Sequence, residues 1–77
     1  MQDLIESIVK KVVSHPDDVV VSENVDEYQN TIIHIELNDE DKPVVIGKAG
    51  RNINAIRDIA SILARKAGTR VYIKIED

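Results

Sequence analysis

Apolar residues recur at helical spacing from the first turn of this chain: Leu4, Ile5, Ile8, Val9, Val12 and Val13. Asp3 and Glu6 precede Lys10 and Lys11, the order a helix dipole favours, so Met1 to Ser14 reads as an amphipathic helix. Ser14-His15-Pro16 stops it, because the residue before a proline is pushed out of the helical region. His15 has no second histidine, cysteine or carboxylate at ligand spacing and reads as a helix-end residue. The period then drops to that of a strand. Val19-Val20-Val21 is a short β-branched run continuing loosely to Val25, and polar Asp26 to Asn30 makes a turn. Thr31 to Leu37 alternates, with Thr31, Ile33, Ile35 and Leu37 on one face and Ile32, His34 and Glu36 on the solvent side. An antiparallel hairpin is the simplest pairing.

Asn38-Asp39-Glu40-Asp41 lacks the glycine and distant glutamate of a calcium loop. Ahead of Pro43 it matches a helix start, which predicts a one-turn helix over Pro43 to Ile46, ending at Gly47. Arg51 to Ala67 is the strongest helical pattern and Gly68 closes it. Its core stripe is predicted as Ile53, Ile56, Ile59, Ala60, Leu63, Ala64 and Ala67. Ala55 and Ile62, with Ile59 at the margin, make a second, smaller apolar edge. A single exposed isoleucine is ordinary. The functional reading of that edge is a helix-to-helix contact in a homodimer or with a partner. Arg70 to Glu76 alternates again, with Val71, Ile73 and Ile75 inward. The order helix, strand, strand, short helix, long helix, strand predicts one α+β domain over residues 1–77, its helices gathered on one face of three strands.

Composition narrows the chemistry. At 77 residues the chain sits where folding buries only about 60% of the unfolded surface. It has no cysteine, so no disulfide or thiolate metal site can staple it, and a reducing cytoplasm is the expected location. No apolar run approaches membrane-spanning length and no secretory signal is visible. The net charge of −4 argues against nucleic acid at first sight, but its distribution does not. Residues 1–41 carry two lysines against eleven acids, a balance of −9, whereas residues 42–75 carry eight cations against Asp58 alone, a balance of +7. Within a Debye length of about 8 Å the local field decides. No nucleophile–base pair, metal cluster or carboxylate pair stands at usable spacing, so neither an enzyme nor a cofactor is expected.

The chemistry concentrates in Val45-Ile46-Gly47-Lys48-Ala49-Gly50-Arg51-Asn52-Ile53 and on to Arg57. Two glycines three apart let the backbone turn sharply and bring its N–H groups near a ligand. A helix starting after Gly50 aims further N–H groups and its positive dipole end at the same place. A nucleotide P-loop needs four residues between its glycines and a hydroxyl after the lysine, and here Ala49 follows Lys48. The remaining reading is a clamp for an anionic backbone.

Val-Ile-Gly-x-x-Gly-x-x-Ile resembles the signature of the KH (K-homology) domain, whose loop clamps about four backbone nucleotides of single-stranded nucleic acid. The run from Ile46 to Arg57, with the length and element order, is similar to the small stand-alone bacterial KH proteins of the KhpA type. Pro43 departs from that pattern, where a glycine is expected after Asp41-Lys42. The resemblance implies a type II KH fold, αββααβ, with a mixed sheet completed by the third strand. It implies single-stranded RNA as ligand, held by Gly47, Lys48, Ala49, Gly50, Arg51, Asn52 and Arg57, with bases over an aliphatic groove between the loop and the second strand. It also implies RNA-chaperone-like work, a homodimer, a heterodimer with a larger KH protein, and a link to cell length and envelope synthesis. The alternative is an interaction module whose Ala55, Ile59 and Ile62 edge is the working surface. A small-molecule substrate is not expected.

Overall fold

The computed structural model describes residues 1–76. Its elements are α1 (Gln2–Val12), β1 (Val20–Val25), β2 (Thr31–Glu36), α2 (Lys42–Ile46), α3 (Arg51–Lys66) and β3 (Val71–Ile75), with single-turn 3₁₀ helices at Pro16–Asp18 and Lys48–Gly50. This is the αββααβ order. β1 and β2 form the expected antiparallel hairpin, Val21 opposite Ile35 and Glu23 opposite Ile33. β3 joins β2 in parallel, Ile73 opposite Ile33, so the sheet is mixed with β2 in the centre. A parallel neighbour requires a crossover, which α2 and α3 supply.

The alternation puts Val21, Ile33, Ile35 and Ile73 on one face of the sheet, where they meet Ile5 and Val9 of α1 and Val45 of α2. Ile53, Ile56 and Ala60 of α3 complete that core. The stripe predicted on α3 is narrower than expected. Ile53, Ile56, Ala60 and Ala64 are buried, but Ile59 and Leu63 are 42% and 38% exposed and Ala67 is also exposed. A three-stranded sheet covers one side of a helix only, and α3 packs on β3 and α2, which leaves Ile59 and Leu63 on its exposed flank.

α1 ends at Val12, three residues before His15, and Pro16 opens a 3₁₀ turn that the sequence pattern did not indicate. On the open face of the sheet, His34 is half-buried rather than solvent-facing. Its Nε2 lies 2.8 Å from Asn24 Oδ1, and its Nδ1 contacts the Glu76 carboxylate, tying β1 to the end of β3.

Asp41 holds the helical layer together. It stands at the N-cap position of α2, as the spacing before Pro43 indicated, but makes no side-chain bond to its own helix. Its carboxylate, only 2% exposed, instead accepts the backbone N–H groups of Ser14 at 3.0 Å and His15 at 2.9 Å. The His15 ring adds a contact at 3.1 Å. The segment leaving α1 is thereby fastened to the start of α2, and Pro43 is accommodated in the first turn of that helix.

Burial opposes ionisation of Asp41, but the two N–H groups and the His15 ring outweigh it and hold the carboxyl below its ordinary value of 3.8. A depressed folded-state pKa stabilises above the unfolded value and is lost as pH falls through the folded one. Asp26 is depressed by the N–H groups of Asn30 and Tyr28 and titrates in the same direction. The expected outcome for Asp41→Asn is a less stable protein at neutral pH, since its amide points a donor at backbone donors. The deficit shrinks as pH falls below 3.8, where the wild type loses the same contacts. Denaturant titrations of both proteins at pH 7 and at pH 3 check it, read as about the difference in stability at each.

Candidate nucleic-acid interface

α2 and α3 are joined through a tight corner over Gly47 to Gly50. Gly47 has φ 78° and ψ 169°, Ala49 φ 56° and ψ 26°, and Gly50 φ 77° and ψ 14°. Three of four consecutive residues thus have positive φ, two of them glycines as the sequence indicated and one an alanine, which it did not. The glycines serve different ends. A Cβ on Gly47 would lie 2.7 Å from Asn52 Cγ, 2.8 Å from the Asn52 backbone nitrogen and 2.9 Å from its Cβ. At Gly50 the nearest atoms stand at 3.6 Å and 4.0 Å, ordinary contact, so only the left-handed backbone favours glycine there. Asn52 Nδ2 donates to Val44 O at 2.7 Å, closing the corner from the helix side.

The loop amides are not all available. The Gly47 N–H donates to Pro43 O at 2.8 Å, and the Gly50 N–H to Gly47 O at 3.1 Å. The Arg51 N–H donates to Lys48 O. Lys48 and Ala49 are the first two residues of the 3₁₀ turn, so their N–H groups have no acceptor within it. Both residues are exposed at the apex. The anion-binding capacity expected of Gly47 to Gly50 therefore narrows to two amides. Asn52, expected at the ligand, is exposed at the start of α3 and also braces the loop from behind.

A groove runs along the free edge of β3, between that strand and α3. The groove expected against the second strand is lined chiefly by α3 and the edge strand β3, with Ile32 of the central strand β2 also in its wall. A cavity of about 540 Å³ is walled by Arg57 and Ser61 of α3, Tyr72, Ile73 and Lys74 of β3, and Ile32 beneath. It passes into a second of about 420 Å³ that shares Ser61, Val71 and Tyr72 and reaches Arg65 and Arg70. As an edge strand, β3 presents backbone N–H and C=O groups to this groove without a strand partner. Arg57 Nη2 reaches Ile73 O at 3.4 Å and its Nη1 reaches Asn54 Oδ1 at 3.5 Å. Both exceed the usual 2.7–3.2 Å, so this guanidinium is loosely held and free to turn to a ligand. The alternation along β3 turns Tyr72 and Lys74 away from the core, and their part in the groove follows from that strand's edge position.

Among the described residues, no ion pair engages Lys48, Arg51, Arg57, Arg65, Arg70 or Lys74. Unpaired cations thus run from the loop down the α3–β3 groove. No group of three or more His, Asp or Glu is placed to hold a metal among the described residues, and no described helix is long and apolar enough to cross a membrane. Ala55, Ile59 and Ile62 lie on α3 away from the core, all exposed, Ile62 at 63%. Leu63, four residues after Ile59 and also exposed, enlarges that edge.

The model of the KhpA/KhpB KH domain matches residues 2–75. The chain belongs to the KhpA/KhpB KH-domain family. Curated relatives include the RNA-binding protein KhpA of Halalkalibacterium halodurans, 42% identical over 79 residues and covering 100% of both chains. The RNA-binding protein KhpA of Clostridium acetobutylicum is 41% identical over 75 residues, 97% of this chain and 99% of that one. Among solved structures, the KhpA/KhpB fold seen here resembles part of Era from Aquifex aeolicus bound to GDP and aluminium fluoride, with a TM-score of 0.59 and 20% identity. That match covers 96% of this chain and 28% of the Era chain. A structure of Era with nucleotides 1506–1542 of 16S ribosomal RNA matches with the same TM-score of 0.59.

The contrast between the two glycines predicts unequal substitutions. Gly50→Ala costs about 1–2 kcal/mol, the strain of a left-handed non-glycine residue. Gly47→Ala adds a collision with the Asn52 backbone and costs clearly more. Thermal or denaturant unfolding of the two variants side by side checks the order.

Proposed function

We propose that this protein binds single-stranded RNA without chemistry, gripping the backbone at the Gly47–Gly50 loop. The reading rests above all on the Lys48 and Ala49 amides, which have no acceptor within their turn and belong to exposed residues at a corner that excludes any side chain at Gly47. Phosphates sit on those two amides, with Lys48 and Arg51 adding charge. Bases lie along the α3–β3 groove, over Ile32 and the open edge of β3, with Arg57 and Lys74 on its rim. The names of the KhpA relatives, which call them RNA-binding proteins, support the choice of RNA. Affinity from one module is weak and falls with salt, which favours work in pairs; on this reading the protein serves as an RNA chaperone in the cytoplasm.

A second reading concerns Ala55, Ile59, Ile62 and Leu63, an exposed apolar edge on a small protein without staples. We assign it to a homodimer contact, the same surface serving a larger KH-containing partner in control of cell length and envelope synthesis. It complements the loop, because two clamps on one assembly bind by avidity.

Lys48→Asp with Ala49→Asp is the clean test of the clamp, since both side chains are exposed and neither glycine is disturbed. This variant is expected to unfold like wild type yet lose crosslinking to cellular RNA. Unchanged crosslinking contradicts the clamp. Ile62→Asp run alongside is expected to be monomeric by light scattering where wild type is dimeric, and to bind RNA more weakly only at dimer-forming concentrations. A wild type that is already monomeric removes the second reading and leaves the first.

A further inference from the structure

The groove does not end where the clamp's reach does. At the end of α3 opposite the loop lies a third recess, of about 590 Å³, bordered by Arg65, Thr69, Arg70, Gln29 and Tyr28. It shares Arg65, Thr69 and Arg70 with the cavity before it, so one depression runs from Arg57 and Lys74 to the β1–β2 turn. α3 has 16 residues and is about 24 Å long, which sets the distance between the loop and this far end.

The far end is built rather than loose. Asp26 Oδ1 accepts the N–H groups of Tyr28 at 2.8 Å and Asn30 at 2.9 Å, and Gln29 is held at φ 68°. Thr69 Oγ1 donates to Gln29 O at 2.7 Å, and the Thr31 N–H to Arg70 O at 2.8 Å. These bonds fasten the β1–β2 turn to the turn between α3 and β3. On that base stands Tyr28, 76% exposed, with two unpaired guanidiniums sharing its recess. An aromatic ring held 76% out in water on a rigid turn contributes nothing to the core. Of the nearby acids, Asp26 is turned into its own turn and Glu27 does not line the recess.

We propose that this recess is a second RNA subsite, where bases beyond the clamped nucleotides stack on Tyr28 while Arg65 and Arg70 take the adjoining phosphates. The inference rests on the RNA reading above and deepens it. The protein then takes a longer strand than the about four nucleotides of a single clamp. Stacking on one aromatic is tolerant of sequence, so this end adds length dependence rather than base preference.

The test uses fluorescent oligouridylates of about four and about eight nucleotides, titrated into wild type, Tyr28→Ala, Arg65→Ala with Arg70→Ala, and Lys48→Asp with Ala49→Asp. The longer oligomer is expected to bind wild type more tightly. Tyr28→Ala is expected to weaken it at least about fivefold without affecting the shorter one. The double arginine variant is expected to flatten the salt dependence of the longer oligomer by about 0.7 per cation removed. All five substituted residues are exposed, and matching thermal midpoints confirm folding. If the longer oligomer gains nothing, or if the far-end variants weaken both lengths equally, the subsite is wrong while the clamp stands. If neither oligomer binds wild type, the RNA reading fails and this one with it.

Discussion

The backbone of Gly47 lies against Asn52 with no room for a methyl group between them. From that approach follows the rest of the corner: α2 ends after a single turn, the chain reverses through positive φ, and α3 begins at once. Asn52 ties the corner with its bond to Val44 O, while Asp41 fastens the far end of α2 to the segment after α1. A loop of this kind exposes its apex because everything around the apex is fixed. The functional reading depends on that rigidity, since two free amides bind an anion well only if they need not be ordered first.

Charge and topology reinforce one another. The acidic half of the chain forms α1 and the hairpin, whereas the basic half forms the loop, α3 and β3. Parallel addition of β3 beside β2 places the basic strand at the sheet edge, next to the basic helix. A protein of net charge −4 thereby carries one face of unpaired cations and an open strand edge. The apolar flank of α3 gives the same helix two separate surfaces, one lining the groove and one turned outward.

Most of the architecture was legible because period and punctuation agreed. Ile33 and Ile35 alternate, Ile53, Ile56 and Ala60 recur at helical spacing, and Gly68 stops the helix, and each sits as its pattern requires. Ile59 and Leu63 were misplaced because amphipathic spacing gives the direction of a stripe but not its width, which depends on how much protein lies opposite. Asp41 was legible as the residue before a helix but not as the anchor of Ser14 and His15, since such a partner lies 27 and 26 positions away. Ala49 carries no sign of its left-handed backbone. The paired glycines announced a loop, but which amides it leaves free depends on dihedral angles that residue type alone does not set. Tyr28 and Arg70 are far apart in the chain, and only the parallel pairing of β3 brings their turns together.

The central claim is that Lys48 and Ala49 present the amides that meet the ligand, and backbone amide shifts measure this most directly. An unstructured oligoribonucleotide titrated into isotope-labelled protein should move the Lys48 and Ala49 amide signals most, with Arg57, Tyr72 and Lys74 following along the groove. Binding that leaves those two amides still and shifts only the Ala55, Ile59 and Ile62 flank would contradict the account.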